Sequence, residues 1–284
     1  MAAARLLITC GDRPGIVSAV SGLLARRGAN ITALDQHTTD PERGCFFMRV
    51  AFQVPAETDP GALEREFAEE VAGPFGMDWH LSLGPRRQRM AVLVSRPEHA
   101  LLELLWRWSR GELPAELAMV VSNHPDHREA VEGFGVPYHH VPVTPDGKAE
   151  AEARILELLE GQVDLVVLAR YMQILSPSFV AHYPHRIINI HHSFLPAFAG
   201  ADPYKQAFER GVKLIGATAH YVTSELDAGP VIEQDVIRVS HRDSVQDLRV
   251  RGREIERSVL ARAVRWHLED RIAVWGNRTV VFGG

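Results

Sequence analysis

The chain has 284 residues, 46% hydrophobic and 24% charged, with 31 Lys and Arg against 36 Asp and Glu for a formal net charge of −5. That composition excludes long disorder and fibrous repeats, and the mild acidity argues against broad, sequence-independent nucleic-acid binding. No apolar run approaches the roughly 18 residues of a membrane span, and the apolar part of Met1–Cys10 is too short for a secretory leader before Gly11, Asp12 and Arg13 intervene. The expectation is a cytoplasmic protein of two domains with no membrane or nucleic-acid partner. Cys10 and Cys45 are the two cysteines, both in strand-like runs, which suits buried free thiols rather than a disulfide framework. Fourteen histidines are present, five of them between His182 and His220.

Residues 5–10 (RLLITC) read as a strand, followed by the turn GDRPG. Ile16, Val20, Leu23 and Leu24 then recur at helical spacing, and Gly28 ends that helix. Residues 31–36 and 45–52 read as strands around the polar loop HTTDPERG. Residues 60–72 read as a helix with Leu63, Phe67 and Val71 on one face, and 79–83 as a last strand. The order strand–helix–strand–strand–helix–strand is that of a ferredoxin-like unit, and the first domain is set at 1–84.

The opening CGDRPGIVSAVSGLLARRGANI resembles the start of an ACT domain. Such domains are regulatory modules that dimerise and often bind amino acids at the first turn and helix. The resemblance implies an effector site around Asp12, Gly15 and Ile16, with Asn30 nearby, and a homo-oligomer, either dimer or tetramer. A folding and dimerisation module with no ligand accounts for the same residues. Gly15 suits a tight turn in either case.

GPRRQR, 84–89, reads as a linker, and the second domain is set at 90–284. MAVLVS opens it as a strand. Residues 98–108 read as a helix, 116–123 and 138–144 as strands, 148–160 as a helix and 164–169 as an almost wholly apolar strand. Such runs between helices indicate a parallel sheet covered on both faces. Further strands are read at 186–193, 219–224 and 231–239, and a long helix at 243–270. The fold class is α/β: a ferredoxin-like domain, then a doubly wound, mostly parallel sheet with an attached antiparallel part. After its first strand the chain reads SRPEH, with none of the glycines that let backbone amides cradle a phosphate.

The chemistry-bearing segment is RIINIHHSFLPAFAGADPY, 186–204. Strand alternation puts Asn189 and His191 on one face and Ile188 and His192 on the other. Asn189 and His191 fall at the C-terminal end of the strand, where open α/β sheets carry their sites, and Pro196 and Gly200 shape the loop beyond. In GATAHYVTSELDAGPVIEQ, 216–234, Asp227 sits in a turn between two strands from which a carboxylate can reach His191. The three residue types suit attack on a carbonyl: Asn donates an N–H to an oxyanion, His moves a proton, and Asp orients the imidazole or takes a proton from water. A structural histidine and an Asx-turn former account for His191 and Asp227 equally well at this level. A metal site among His182, His185, His191, His192 and His220 is a further reading, although no HExxH or cysteine-pair spacing accompanies them.

NIHHSFLPAF, GATAHYV and LDAGPVIEQ resemble the signature stretches of the folate-dependent formyltransferases. Together with the ACT-like start, the resemblance runs over essentially the full length and is nearer to the hydrolytic branch of that family. It implies Asn189, His191 and Asp227 as the catalytic set. It also implies a pterin pocket lined by Arg170, Met172, Ile174 and Leu175, from ARYMQILSP at 169–177, and framed by the segment from Thr218 to Asp227. Core packing is an alternative account of Met172 and Leu175. Two departures from the nucleotide-formylating relatives accompany it: SRPEH where they carry a Gly/Ser/Asn-rich phosphate loop, and HHSFLP where they usually have HPSLLP. The implied reaction is hydrolysis of 10-formyltetrahydrofolate to tetrahydrofolate and formate, with water as acceptor and no permanently bound cofactor or metal. Its formate would feed purine synthesis and balance one-carbon pools. An amine-dependent formyltransferase and a non-catalytic ligand sensor are the rival readings.

Overall fold

The computed structural model describes residues 1–40, 43–84, 87–196 and 202–283. The chain divides into two compact units, Met1–Arg86 with Glu269–Trp275 and Thr279–Gly284, and Arg87–Leu268 with Gly276–Arg278.

The first unit runs β1 (Ala2–Gly11), α1 (Ile16–Arg26), β2 (Asn30–Thr38), β3 (Cys45–Val54), α2 (Pro60–Phe67), a π-helical turn Ala68–Ala72, α3 (Gly73–Phe75) and β4 (Asp78–Leu83). Its sheet has the order β2-β3-β1-β4, antiparallel throughout. Ala4, Leu6, Ile8 and Cys10 alternate inward along β1, where Ile16, Val20, Leu23 and Leu24 of α1 meet Leu63, Phe67 and Val71. Burying each of the larger side chains stabilises the fold by about 1.5–3 kcal/mol. Gly15 precedes α1 with a φ of 99°, a left-handed backbone that a side chain would strain.

The end of the chain departs from the expected boundary. Rather than belonging wholly to the second domain, most of residues 269–284 group with the first unit. After α9 (Val245–Leu268), the strands β12 (Ile272–Trp275) and β13 (Arg278–Val281) pair with each other. Ala273 and Phe282 pack on Phe47, which points from β3 to the face opposite the α1 core. Buried Asp270 accepts from Arg5 Nη1 at 3.0 Å, and Arg49 donates to the carbonyls of Glu269 and Asp270. The adjacent Phe46 and Phe47 make both faces of β3 apolar, so both need cover.

The second unit contains β5 (Gln88–Val94), α4 (His99–Ser109), β6 (Ala115–Ser122), α5 (Arg128–Glu132), β7 (Tyr138–His140), α6 (Lys148–Leu159) and β8 (Leu165–Ala169). It continues with α7 (Pro177–Ala181), β9 (Ile187–His191), α8 (Pro203–Glu209), β10 (Leu214–Tyr221), β11 (Val231–Arg238) and α9. The sheet order is β11-β10-β9-β8-β5-β6-β7. The pairs β5/β6, β6/β7, β5/β8 and β8/β9 are parallel, and β9/β10 and β10/β11 are antiparallel. The chain moves outward from β5 through β6 to β7, then crosses back to β8 and β9. The order therefore reverses between β5 and β8, and open α/β sheets form clefts beyond the strand ends at such a reversal.

Among the strands that differ from expectation, the one read over 138–144 stops at His140. The one expected over 186–193 stops at His191, and the one expected over 219–224 occupies Leu214–Tyr221. Gly216, Ala217 and Ala219 have low strand propensity, which hides this strand in the sequence. Here the small side chains serve close packing: a Cβ on Gly216 would stand 2.6 Å from the Asp235 carbonyl oxygen of β11.

Candidate active site

A cavity of about 350 Å³ opens beyond the C-terminal ends of β8 and β9, lined by residues 170–175, 189–192 and 222–227 together with Leu168 and His220. Asn189 and His191 enter it from β9. Asp227 enters from the turn between β10 and β11, where it holds a left-handed φ of 54°. Asp tolerates that conformation better than most residues. The turn is held against β10 by the Tyr221 N–H, which donates to the Pro230 carbonyl at 2.9 Å.

Gly229 makes that approach feasible, because a Cβ there would lie 1.8 Å from the Tyr221 carbonyl oxygen. Gly229→Ala is expected to lift the turn, carry Asp227 away from His191 and destabilise the unit by about 1–3 kcal/mol through overpacking. Urea unfolding beside an activity assay checks it; unaltered stability and activity would show that the turn is not set by this contact.

His191 Nδ1 faces Asp227 Oδ2 at 3.3 Å, and both side chains are largely buried. The hydrogen bond from His191 is the main reason the Asp227 carboxyl is held below its ordinary pKa, against the opposing effect of burial. His191 Nε2 is buried and has no hydrogen-bond partner among the described residues. An imidazole fixed at Nδ1 by a carboxylate thus presents its other nitrogen for chemistry.

His220 supplies an arrangement that the sequence did not announce. It lies opposite Asn189 across the β9/β10 ladder and is buried. Its Nδ1 is 2.9 Å from the Tyr221 carbonyl, to which only a protonated nitrogen can donate. Burial lowers its pKa, so the neutral ring keeps Nε2 as an acceptor. That nitrogen lies 3.2 Å from Asn189 Nδ2. The carboxamide is therefore held by one N–H and keeps its second N–H for a ligand. His220 Nε2 also stands 3.8 Å from Asp227 Oδ1. The pairing across strands that carries this role has no signature in local sequence.

The pocket residues separate by role. Met172 and Ile174 are 54% and 59% exposed at the cavity, while Leu175 is buried in its wall. The Met172 N–H donates to Ser95 Oγ at 2.9 Å, which ties the segment to the end of β5. Arg170 lines the cavity, but its guanidinium turns to Glu256, with Nε 3.4 Å from Oε2. Thr218 is not a lining residue, contrary to expectation. It is fully buried, accepts from Leu195 N at 3.0 Å and donates to the Ser193 carbonyl at 2.8 Å, fastening the loop after β9. His192 also departs from expectation. Because β9 ends at His191, strand alternation does not extend to His192, which lines the same cavity with its ring centroid 5.2 Å from that of His191. Burial and the Arg170 charge bring its pKa down to about 3, so it is neutral near pH 7. Gly200 lies outside the described residues.

His182 and His185 are exposed and away from the cavity lining. No group of three or more His, Cys, Asp or Glu among the described residues is arranged to hold a metal ion. No described helix is long and apolar enough to cross a membrane. In the first unit Asp12 accepts from the Thr38 hydroxyl at 2.7 Å, and Asn30 is exposed on β2. The Ile16 side chain is buried in the core, which leaves its backbone alone to meet a ligand.

Residues 88–264 match the family model described as formyl transferase, and residues 4–68 match the ACT domain. The formyltetrahydrofolate deformylase of Bacillus subtilis is 56% identical over 280 residues, covering 98% of this chain and 93% of that protein. The Mycobacterium tuberculosis protein of that name is 56% identical over 279 residues, covering 98% and 90%. The crystal structure of a formyltetrahydrofolate deformylase from Pseudomonas syringae superimposes with a TM-score of 0.95 at 49% identity, covering 100% of this chain and 95% of that one. With an ACT domain followed by a formyltransferase-like domain, and with relatives this close over nearly the whole length, the chain belongs to the formyltetrahydrofolate deformylase family.

Proposed function

We propose that the chain hydrolyses 10-formyltetrahydrofolate to tetrahydrofolate and formate, with Asn189, His191 and Asp227 as the reacting set. The observation that carries this reading is the convergence of a buried His–Asp pair and an amide N–H on one cavity with an apolar mouth. Met172, Ile174 and Leu226 supply an apolar surface for the pterin, and apolar lining with few polar groups is the usual character of such pockets.

Each role follows from the group's partners. Water attacks the formyl carbon while Asp227, directly or through His191, takes its proton. The second N–H of Asn189 and protonated His191 hold the developing oxyanion. His191 then gives a proton to N10 as the carbon–nitrogen bond breaks, so the products are tetrahydrofolate and formate. No step needs a metal, because the base activates the water. Incubation with 10-formyltetrahydrofolate, with and without glycinamide ribonucleotide, tests the reading. Formate without the amine is the expected result; formyl transfer only when the amine is present would replace it with a transferase, and unchanged folate would point to a sensor.

The reading extends to the first unit, where the ACT match supports a small amino-acid effector around Asp12, Gly15, Ile16 and Asn30 and a homo-oligomer. Formate release measured with and without glycine and methionine separates an effector site from a purely structural module.

A further inference from the structure

Behind the reacting set lies a second cluster that the mechanism above does not use. The His192 ring stands between His191 and Tyr204, with centroids 5.2 Å and 5.8 Å away. Tyr204, on α8, donates its hydroxyl hydrogen to Glu256 Oε1 at 2.6 Å. Glu256, on α9, is 1% exposed, and its Oε2 lies 2.8 Å from His99 Nε2 and 3.4 Å from Arg170 Nε. Gly252 lets α9 approach this closely: a Cβ there would stand 1.9 Å from the Tyr204 hydroxyl oxygen.

The cluster closes one flank of His191 in two ways. The first is volume. His192 is a wall of the cavity, and Tyr204 fills the space behind it. The second is chemistry. A bound amine needs an acceptor for its N–H groups, and a carboxylate serves best. In the cavity Asp227 is committed to His191 at 3.3 Å, and on the His192 flank both oxygens of Glu256 are engaged internally, one by Tyr204 and the other by His99 and Arg170. Water needs neither the space nor the extra acceptor.

We propose that His192, backed by Tyr204 and Glu256, is the specificity-determining wall that keeps amines from the formyl carbon and leaves water as the acceptor. This rests on the hydrolytic reading above. In the excluded reaction the formyl carbon would bond to the amine nitrogen as its bond to N10 broke, and the proton lost by the amine would pass to N10. That exchange balances without any further reagent.

The test uses the full chain, 10-formyltetrahydrofolate and an excess of glycinamide, with formate and N-formylglycinamide both quantified by mass spectrometry. The unaltered chain is expected to give formate with at most a trace of N-formyl product, which sets the reference ratio. In His192→Ala, where the flank is open, the ratio of N-formyl product to formate is expected to rise at least roughly tenfold, within the range by which pocket shape discriminates substrates. Tyr204→Leu, which removes the ring behind His192, is expected to move the ratio in the same direction, and a thermal melt reports whether each variant is folded. A folded His192→Ala that releases formate at an unchanged ratio overturns the wall. If that variant does not fold, an unchanged ratio in Tyr204→Leu overturns it. Efficient transfer to glycinamide by the unaltered chain also overturns it, whereas no formate from the unaltered chain overturns the hydrolytic reading instead.

Discussion

Asp227→Asn is expected to lower kcat by roughly 10³–10⁴-fold while leaving the fold intact. Asparagine accepts the left-handed backbone of this position as readily as aspartate, so the turn is retained. What changes is the partner of His191. The carboxylate 3.3 Å from Nδ1 can only accept, which keeps that nitrogen protonated and leaves Nε2 as the ring's unprotonated nitrogen. An amide can rotate its NH₂ toward Nδ1 and hold the opposite tautomer, and it can no longer take a proton from water. Steady-state formate release, with circular dichroism to confirm folding, checks the prediction. Turnover within tenfold of the unaltered chain would remove Asp227 from the reacting set.

Asn189→Ala is expected to slow turnover by roughly 10²–10³-fold, the usual cost of losing one oxyanion donor, about 3 kcal/mol. An interaction made only in the transition state lowers kcat and kcat/KM together, so KM should move little. The substitution also strips His220 Nε2 of the N–H 3.2 Å away and leaves a buried acceptor unsatisfied. A small loss of stability, about 1–3 kcal/mol, should accompany the kinetic effect. Normal turnover in a steady-state assay would exclude Asn189 as the donor. A rise in KM at constant kcat would instead assign it to substrate binding.

Much of the fold is legible in the residues because periodicity and burial share a cause. Ile16, Val20, Leu23 and Leu24 recur at helical spacing because one face of α1 meets the core. The uninterrupted apolar run at Leu165–Ala169 reflects a strand covered on both faces. β10 has the weakest strand signal, since close packing against β11 selects glycine and alanine there. The return of the last residues to the first unit has no local signal, because the partners are distant: Asp270 with Arg5, and Ala273 and Phe282 with Phe47.

The candidate site divides along the same line. Asn189 and His191 are two residues apart on one strand, so alternation alone puts them on one face, and Asp227 carries its own turn signature in DAGP. Those three, the two-domain order and the family resemblance could be drawn from the chain by itself. Only the tertiary structure decided that His220 orients Asn189, that Thr218 fastens a loop instead of lining the pocket, that Arg170 faces Glu256, and that His192 stands beside His191. Local sequence encodes which face of an element a side chain occupies. The register between strands and the packing of α8 and α9 determine what that face meets, and those depend on contacts between residues up to 157 positions apart, as in His99 and Glu256.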